Sequence, residues 1–204
     1  MIKKLHNTLL VMAFIPLLAV SALELNTVSN ASGEVNNFPN ASEVTIKLQK
    51  SQKELETKES LRKIQAAKID AYYAKHNLPL EGHGMQFVLV AEKYGIPYNL
   101  LPAVAMREST GGKFACYNNP FGWGSCKIKF SDFDEAIESV GKNLGGANPR
   151  TARYYATTDV EKKLYYYNGT VIKGYEDQVI AIMEKINNTS INPDADTNIE
   201  LASK

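Results

Sequence analysis

Between residues 77 and 186 apolar side chains recur at helical spacing, and almost nowhere at the alternation that a strand requires. Met85 to Tyr94 carries Phe87, Val88 and Ala91 and stops at Gly95, a residue suited to a left-handed C-cap. Asn99 can cap the next helix, whose first turn accommodates Pro102. Ser131-Asp132-Phe133-Asp134 reads as a capping box with Asp in place of Glu, opening a helix with Ile137, Val140 and Leu144 that closes at Gly145-Gly146. Thr158-Asp159-Val160-Glu161 is a second box and starts a helix ending near Asn168-Gly169. Tyr175 to Ile186 carries Val179, Ile182, Met183 and Ile186 at helical spacing. The one strand pairing the pattern allows is a short β-hairpin around Gly122 to Phe130. The expected fold is mainly α.

The flanking segments follow different patterns. Lys3 and Lys4 precede an apolar run from Leu9 to Ala22, too short for the roughly 20 residues of a membrane-spanning helix. Val20-Ser21-Ala22 supplies small or short residues where a signal peptidase reads. Residues 1–22 are therefore read as a secretory signal, with a short uncleaved anchor as the alternative. Both imply an exported, extracytoplasmic protein, touching a membrane only through that anchor. Residues 23–46, rich in Asn, Ser and Glu, read as a flexible linker. Residues 47–76 turn to Lys, Glu, Gln, Ala and Leu and read as a charged helical spacer. Its Leu48, Leu55, Leu61 and Ile64 are too irregular for a heptad seam. Residues 187–204 are polar, contain Pro193, and read as a frayed tail.

Charge and composition narrow the chemistry. The 204 residues hold 23 basic and 22 acidic side chains, a net charge of +1, so no global field recruits nucleic acid. Residues 70–186 balance as well, with 13 of each sign. The three histidines and two cysteines have no metal-site spacing, and no glycine-rich phosphate loop is present. Neither a metal nor an organic cofactor is expected. Cys116 and Cys126 are the only cysteines, and in an oxidising compartment such a pair forms one bridge. By loop entropy that bridge contributes roughly 2–3 kcal/mol. Two free thiols are the alternative.

Leu101, Val104, Ala105 and Glu108 stand at i, i+3, i+4 and i+7 and share one helix face. Glu108 thus ends an apolar stripe just before Gly111-Gly112. Desolvation favours the protonated form of a carboxyl so placed, the property a general acid needs. A salt bridge to Arg107 or a nearby lysine is the plainer alternative. Next comes Tyr117-Asn118-Asn119-Pro120-Phe121-Gly122-Trp123-Gly124, a loop that suits a sugar. Aromatic faces stack on pyranose rings, and Asn amides both donate to and accept from hydroxyls and acetamides. Phe121 and Trp123 could equally be core beneath a loop.

Glu108-Ser109 followed by Gly112-Lys113, then Asn119-Pro120-Phe121-Gly122, resembles the E-S-x-x-G-K…N-x-F-G pattern of glucosaminidase-type peptidoglycan hydrolases. These belong to the lysozyme-like enzymes, with lytic transglycosylases as relatives. The stretch Phe130 to Ile137 matches further. Tyr167-Asn168-Gly169 with Tyr175 and Val179 is similar to the ending of transglycosylase domains. The resemblance covers roughly residues 85–186. It implies a lysozyme-like helical domain over residues 77–186 that cleaves β-1,4 bonds in peptidoglycan glycan strands, acting as a monomer. Glu108 would be the catalytic acid and Tyr167 its neighbour, with Tyr165 or Tyr166 as alternatives for that part. Asn119, Phe121, Gly122, Trp123, Asn168 and Tyr175 would bind substrate. Ser109 would bond to sugar or cap the helix end. No confident second carboxylate accompanies Glu108, so a substrate-assisted route fits. The G-L-M-Q segment of many transglycosylases is missing, which favours the glucosaminidase branch.

Overall fold

The computed structural model describes residues 41–191, so the apolar run Leu9 to Ala22, most of the expected linker and most of the expected tail lie outside the described residues. The described chain is mainly α, with no strand among its residues. Seven α-helices follow one another: α1 (Ala41–Ala74), α2 (Gly84–Tyr94), α3 (Leu100–Ser109), α4 (Phe133–Leu144), α5 (Ala152–Tyr155), α6 (Val160–Leu164) and α7 (Tyr175–Asn187). A π-helical turn, Tyr165–Gly169, continues α6.

Helix α3 is the centre. Leu100 to Ala105 are all buried, so the apolar stripe read from the sequence is part of a helix enclosed on every side. Helix α7 packs along it, and α2 and α4 contact it from elsewhere. Burying the side chains of Leu100, Leu101 and Val104 contributes about 1.5–3 kcal/mol each relative to exposure. Polar residues appear only in the last turn, where Met106, Arg107 and Glu108 are half-buried.

Several helix ends differ from the sequence pattern for identifiable reasons. Asn99 makes no capping bond; its amide donates to the Met183 carbonyl at 2.9 Å, and so fastens α3 to α7. At α4 the box is shifted by one residue. Asp132 accepts from the Glu135 amide at 2.8 Å, while Glu135 accepts from the backbone and hydroxyl of Ser131. Asp159, not Thr158, caps α6 through the Lys162 amide at 3.0 Å. The helix expected to run on to Gly169 changes character after Leu164, where the Thr170 amide bonds back five residues to the Tyr165 carbonyl. In place of a hairpin at Gly122 to Phe130 there are turns, and the only pairing among the described residues is an antiparallel bridge between Cys116 and Asn119.

Helix α1 also departs from the expected division at residues 46 and 76. It begins at Ala41, inside the segment read as linker. Its residues 42–61 are exposed throughout, whereas Ala66, Ile69, Tyr72 and Tyr73 are buried in the core. The Tyr73 hydroxyl donates to the Pro102 carbonyl of α3 at 2.9 Å. The second half of this helix is therefore one wall of the packed body. No described helix is long and apolar enough to cross a membrane.

Two buried features lend themselves to test. A methyl group at Gly141 would overlap Val90 Cγ1 and press on Leu101 Cδ1, so its absence lets α4 lie close to α2 and α3. Gly→Ala in a helix ordinarily gains about 1 kcal/mol, but overpacking a core costs about 1–3 kcal/mol. Val90 is stiff and buried, so the clash wins: Gly141→Ala should lower stability in urea unfolding by about 1–2 kcal/mol. Lys163 is buried, and its ammonium donates to the Leu144 carbonyl at 2.6 Å and the Tyr155 carbonyl at 2.5 Å, closing the ends of α4 and α5. Burial lowers its pKa from the usual lysine value. Lys163→Met leaves both carbonyls unpaired and should cost about 2 kcal/mol in the same measurement.

Candidate functional site

The end of α3 and the loop after it form the site. Ser109 is 3% exposed. Its hydroxyl donates to the Ala105 carbonyl at 3.1 Å and accepts from the Gly112 amide at 3.0 Å. Of its two expected parts it fills the helix-end cap, and its hydrogen bonds are spent there. The chain then turns through Thr110, in the left-handed region at φ 53°, one residue before the glycines that were expected to stop the helix.

The loop is tied in two ways. Cys116 and Cys126 are joined in a disulfide, with Cα atoms 6.0 Å apart. Inside it, Asn119 acts as a clamp. Its Nδ2 donates to the carbonyls of Trp123 at 2.8 Å and Ile128 at 3.3 Å, and its Oδ1 accepts from the Trp123 amide at 3.0 Å. Asn119 is 1% exposed, and its amide faces the loop interior. The sequence logic of Asn as a sugar ligand met a competitor here, since a short side chain within a turn bonds readily to nearby backbone.

Folded in this way, residues 121–125 make one wall of an open cavity of about 490 Å³. Glu108, Tyr167 and Asn168 complete its lining. That volume lies within the range of small-molecule sites. Glu108 is the only carboxylate among the lining residues. Its Oε1 accepts a hydrogen bond from the Tyr175 hydroxyl at 2.7 Å. Its Oε2 lies 3.6 Å from where a Cβ on Gly122 would stand, so Gly122, at φ 59°, keeps the approach to that oxygen clear.

Two tyrosines divide the support of this carboxyl. Tyr175 is fully buried behind it, under the Arg107 guanidinium 5.8 Å from the ring centroid. Tyr167, which the resemblance places beside Glu108, instead donates its hydroxyl to the Phe121 carbonyl at 2.6 Å. The two rings stack, with centroids 6.1 Å apart and planes within 7°. Burial first, then the Glu108 charge, pushes both phenols well above the ordinary tyrosine range, so both remain protonated donors. Phe121 is core as well as lining: its ring is buried while its carbonyl anchors Tyr167.

From Tyr167 a line of rings leads outward. Trp123 lies 5.6 Å from Tyr167 and 6.3 Å from Tyr155, both centroid to centroid. Tyr154 follows at 6.3 Å from Tyr155, then Tyr166 at 5.2 Å from Tyr154, and Tyr165 at 5.4 Å from Tyr166. Trp123 and Tyr154 are half-buried, Tyr165 and Tyr166 exposed. Burial holds the Tyr155 phenol up at about 12. Asn168 lines the cavity, and its side-chain amide has no hydrogen bond to another described residue.

The sequence reading missed Gly124 and Ser125 in the lining and Tyr155 behind Trp123. Tyr155 belongs to no motif, and its role follows only from the short helix α5 meeting the disulfide loop. Tyr165 and Tyr166 lie on the outer ring line rather than in the cavity lining. Among the described residues no three His, Cys, Asp or Glu side chains are placed to hold a metal ion. Comparison of the chain with protein-family models, with curated proteins and with solved structures finds no match.

Proposed function

We propose that this protein is an exported glycosidase with a lysozyme-like domain. It cleaves β-1,4 bonds between N-acetylglucosamine and N-acetylmuramic acid in peptidoglycan, in the manner of an endo-β-N-acetylglucosaminidase. The observation that carries the reading is a single carboxyl in an aromatic-walled cavity, with one oxygen held by a buried tyrosine and the other open to the space. Polar, ring-shaped ligands with apolar faces suit such walls.

Glu108 gives its proton to the glycosidic oxygen as the bond to C1 breaks. Hydrolases with two carboxylates set them about 5–5.5 Å or 6.5–9.5 Å apart. No second one lines this cavity. The carbonyl oxygen of the substrate's own N-acetyl group attacks C1 in its place and forms a cyclic oxazolinium. Glu108, now ionised, takes a proton from water as that water opens the ring, which restores both the acid and the acetamide. Tyr175 is a positioning residue, holding Oε1 so that Oε2 faces the reacting oxygen. Asn168 can meet the acetamide.

The test is mass spectrometry of fragments released from purified peptidoglycan. Reducing N-acetylglucosamine ends are expected. Anhydro-muramyl ends would assign the attack to the sugar's 6-hydroxyl, as in a transglycosylase, and wall binding without release would leave a binding module. Glu108→Gln should lower the rate by about 10²–10⁴-fold, the usual weight of general acid catalysis. Tyr175→Phe should lower it about tenfold. Its pH–rate profile should move to higher pH, because a donor that favours the ionised acid is gone.

A further inference from the structure

The disulfide loop carries a second surface that the proposed chemistry does not use. From Ser109 to Ser131 the chain has three lysines, Lys113, Lys127 and Lys129, and no acidic residue. All three are exposed and none forms an ion pair with a described residue. The acidic groups that follow are engaged elsewhere. Asp132 caps α4, Asp134 bonds to His83 at 2.6 Å, and Glu135 holds Ser131. The positive charge of the loop is therefore unanswered.

Between the lysines large apolar side chains stand in solvent. Phe114 is 71% exposed, Tyr117 60% and Ile128 40%. Each belongs to the same small lobe. The Lys129 ammonium lies 4.4 Å from the Tyr117 ring centroid, and Lys113 lies 5.7 Å from that of Phe114. The Phe130 amide bonds to the Tyr117 carbonyl, and the disulfide joins the two arms. Tyr117 and Asn118 take left-handed backbone conformations at φ 51° and 56°. Outside glycine such conformations persist only where the surroundings enforce them, so the lobe is a built shape.

We propose that this lobe docks on the surface of an anionic lipid bilayer. Lysines attract acidic headgroups, and aromatic or aliphatic tips enter the boundary between headgroup and acyl chain. A hydrophilic polyanion would satisfy the lysines but gain nothing from Phe114 and Ile128, which is why the bilayer is favoured. Docking there would hold the adjoining cavity wall, residues 121–125, close to a membrane face. The inference does not depend on the glycosidase reading.

The test is co-sedimentation of the full chain with vesicles of phosphatidylcholine alone and with about one third phosphatidylglycerol. Every variant retains residues 1–40, so any binding by that segment is common to all. The wild-type chain should prefer the anionic vesicles. The triple variant K113Q/K127Q/K129Q should lose at least about tenfold in partitioning. Phe114→Ser, at unchanged charge, should lose several-fold, and raised salt should weaken the wild type. Far-UV circular dichroism checks each fold; if the triple variant unfolds, K127Q/K129Q decides in the same way. Equal binding to both vesicles, or variants that bind as the wild type does, overturns the proposal. So does a lysine-dependent affinity for soluble polyphosphate with Phe114→Ser unaffected on vesicles, which would assign the lobe to a polyanion.

Discussion

The burial of α3 on every side constrains the rest of the molecule. A helix whose residues 100–105 all lie in the core must be covered by its neighbours, and α1, α2, α4 and α7 supply the cover. Only its last turn can reach water, so the polar residues of the helix emerge at one point. Glu108 stands there because the apolar run ends there. Its surroundings are then determined by what can pack against that end: the disulfide loop on one side, and α7 with the π-helical turn on the other. Tyr175 illustrates the outcome. It begins α7, is wholly buried by the packing of α7 on α3, and thereby has its hydroxyl at the carboxyl.

The parts of this arrangement legible in the sequence are those set by local spacing. The 3.6-residue pattern located α2, α3, α4 and α7, and the glycine after Tyr94 marked a real left-handed cap. Glu108 at the end of the apolar face was readable because position on a helix is a local property. The Trp123 loop was readable because its residue types are unusual together. Hydrogen-bond partners were not. Asn99 looked like a cap and holds α7; Asn119 looked like a ligand and holds its own loop. In both cases an amide found a carbonyl brought near by tertiary packing, which no spacing rule contains. The assignment of hydroxyls to Tyr167 and Tyr175 is of the same kind, since it depends on how two helical segments separated in the chain are rotated.

The boundary of the body was misjudged for a related reason. Helix α1 has one composition along its length, rich in Lys, Glu and Gln, yet only its second half has a neighbour. Ile69, Tyr72 and Tyr73 are few apolar positions at the end of a long polar run, and a compositional window averages them away. Three side chains with zero or little exposure nevertheless define a wall, because Tyr73 both fills the core and bonds to α3.

The π-helical turn makes chain length part of the specification of the site. Tyr165–Gly169 winds with a bond spanning five residues instead of four, so one residue is spent without advancing the regular helix. Removing a single residue there would let the regular helix resume. Each α-helical residue turns the chain by about 100°, so everything after the deletion would rotate by that amount relative to α6. Tyr167 would lose Phe121, and Asn168 would leave the cavity, with no functional side chain having been altered. Counting residues in this turn is therefore as informative about the site as identifying them.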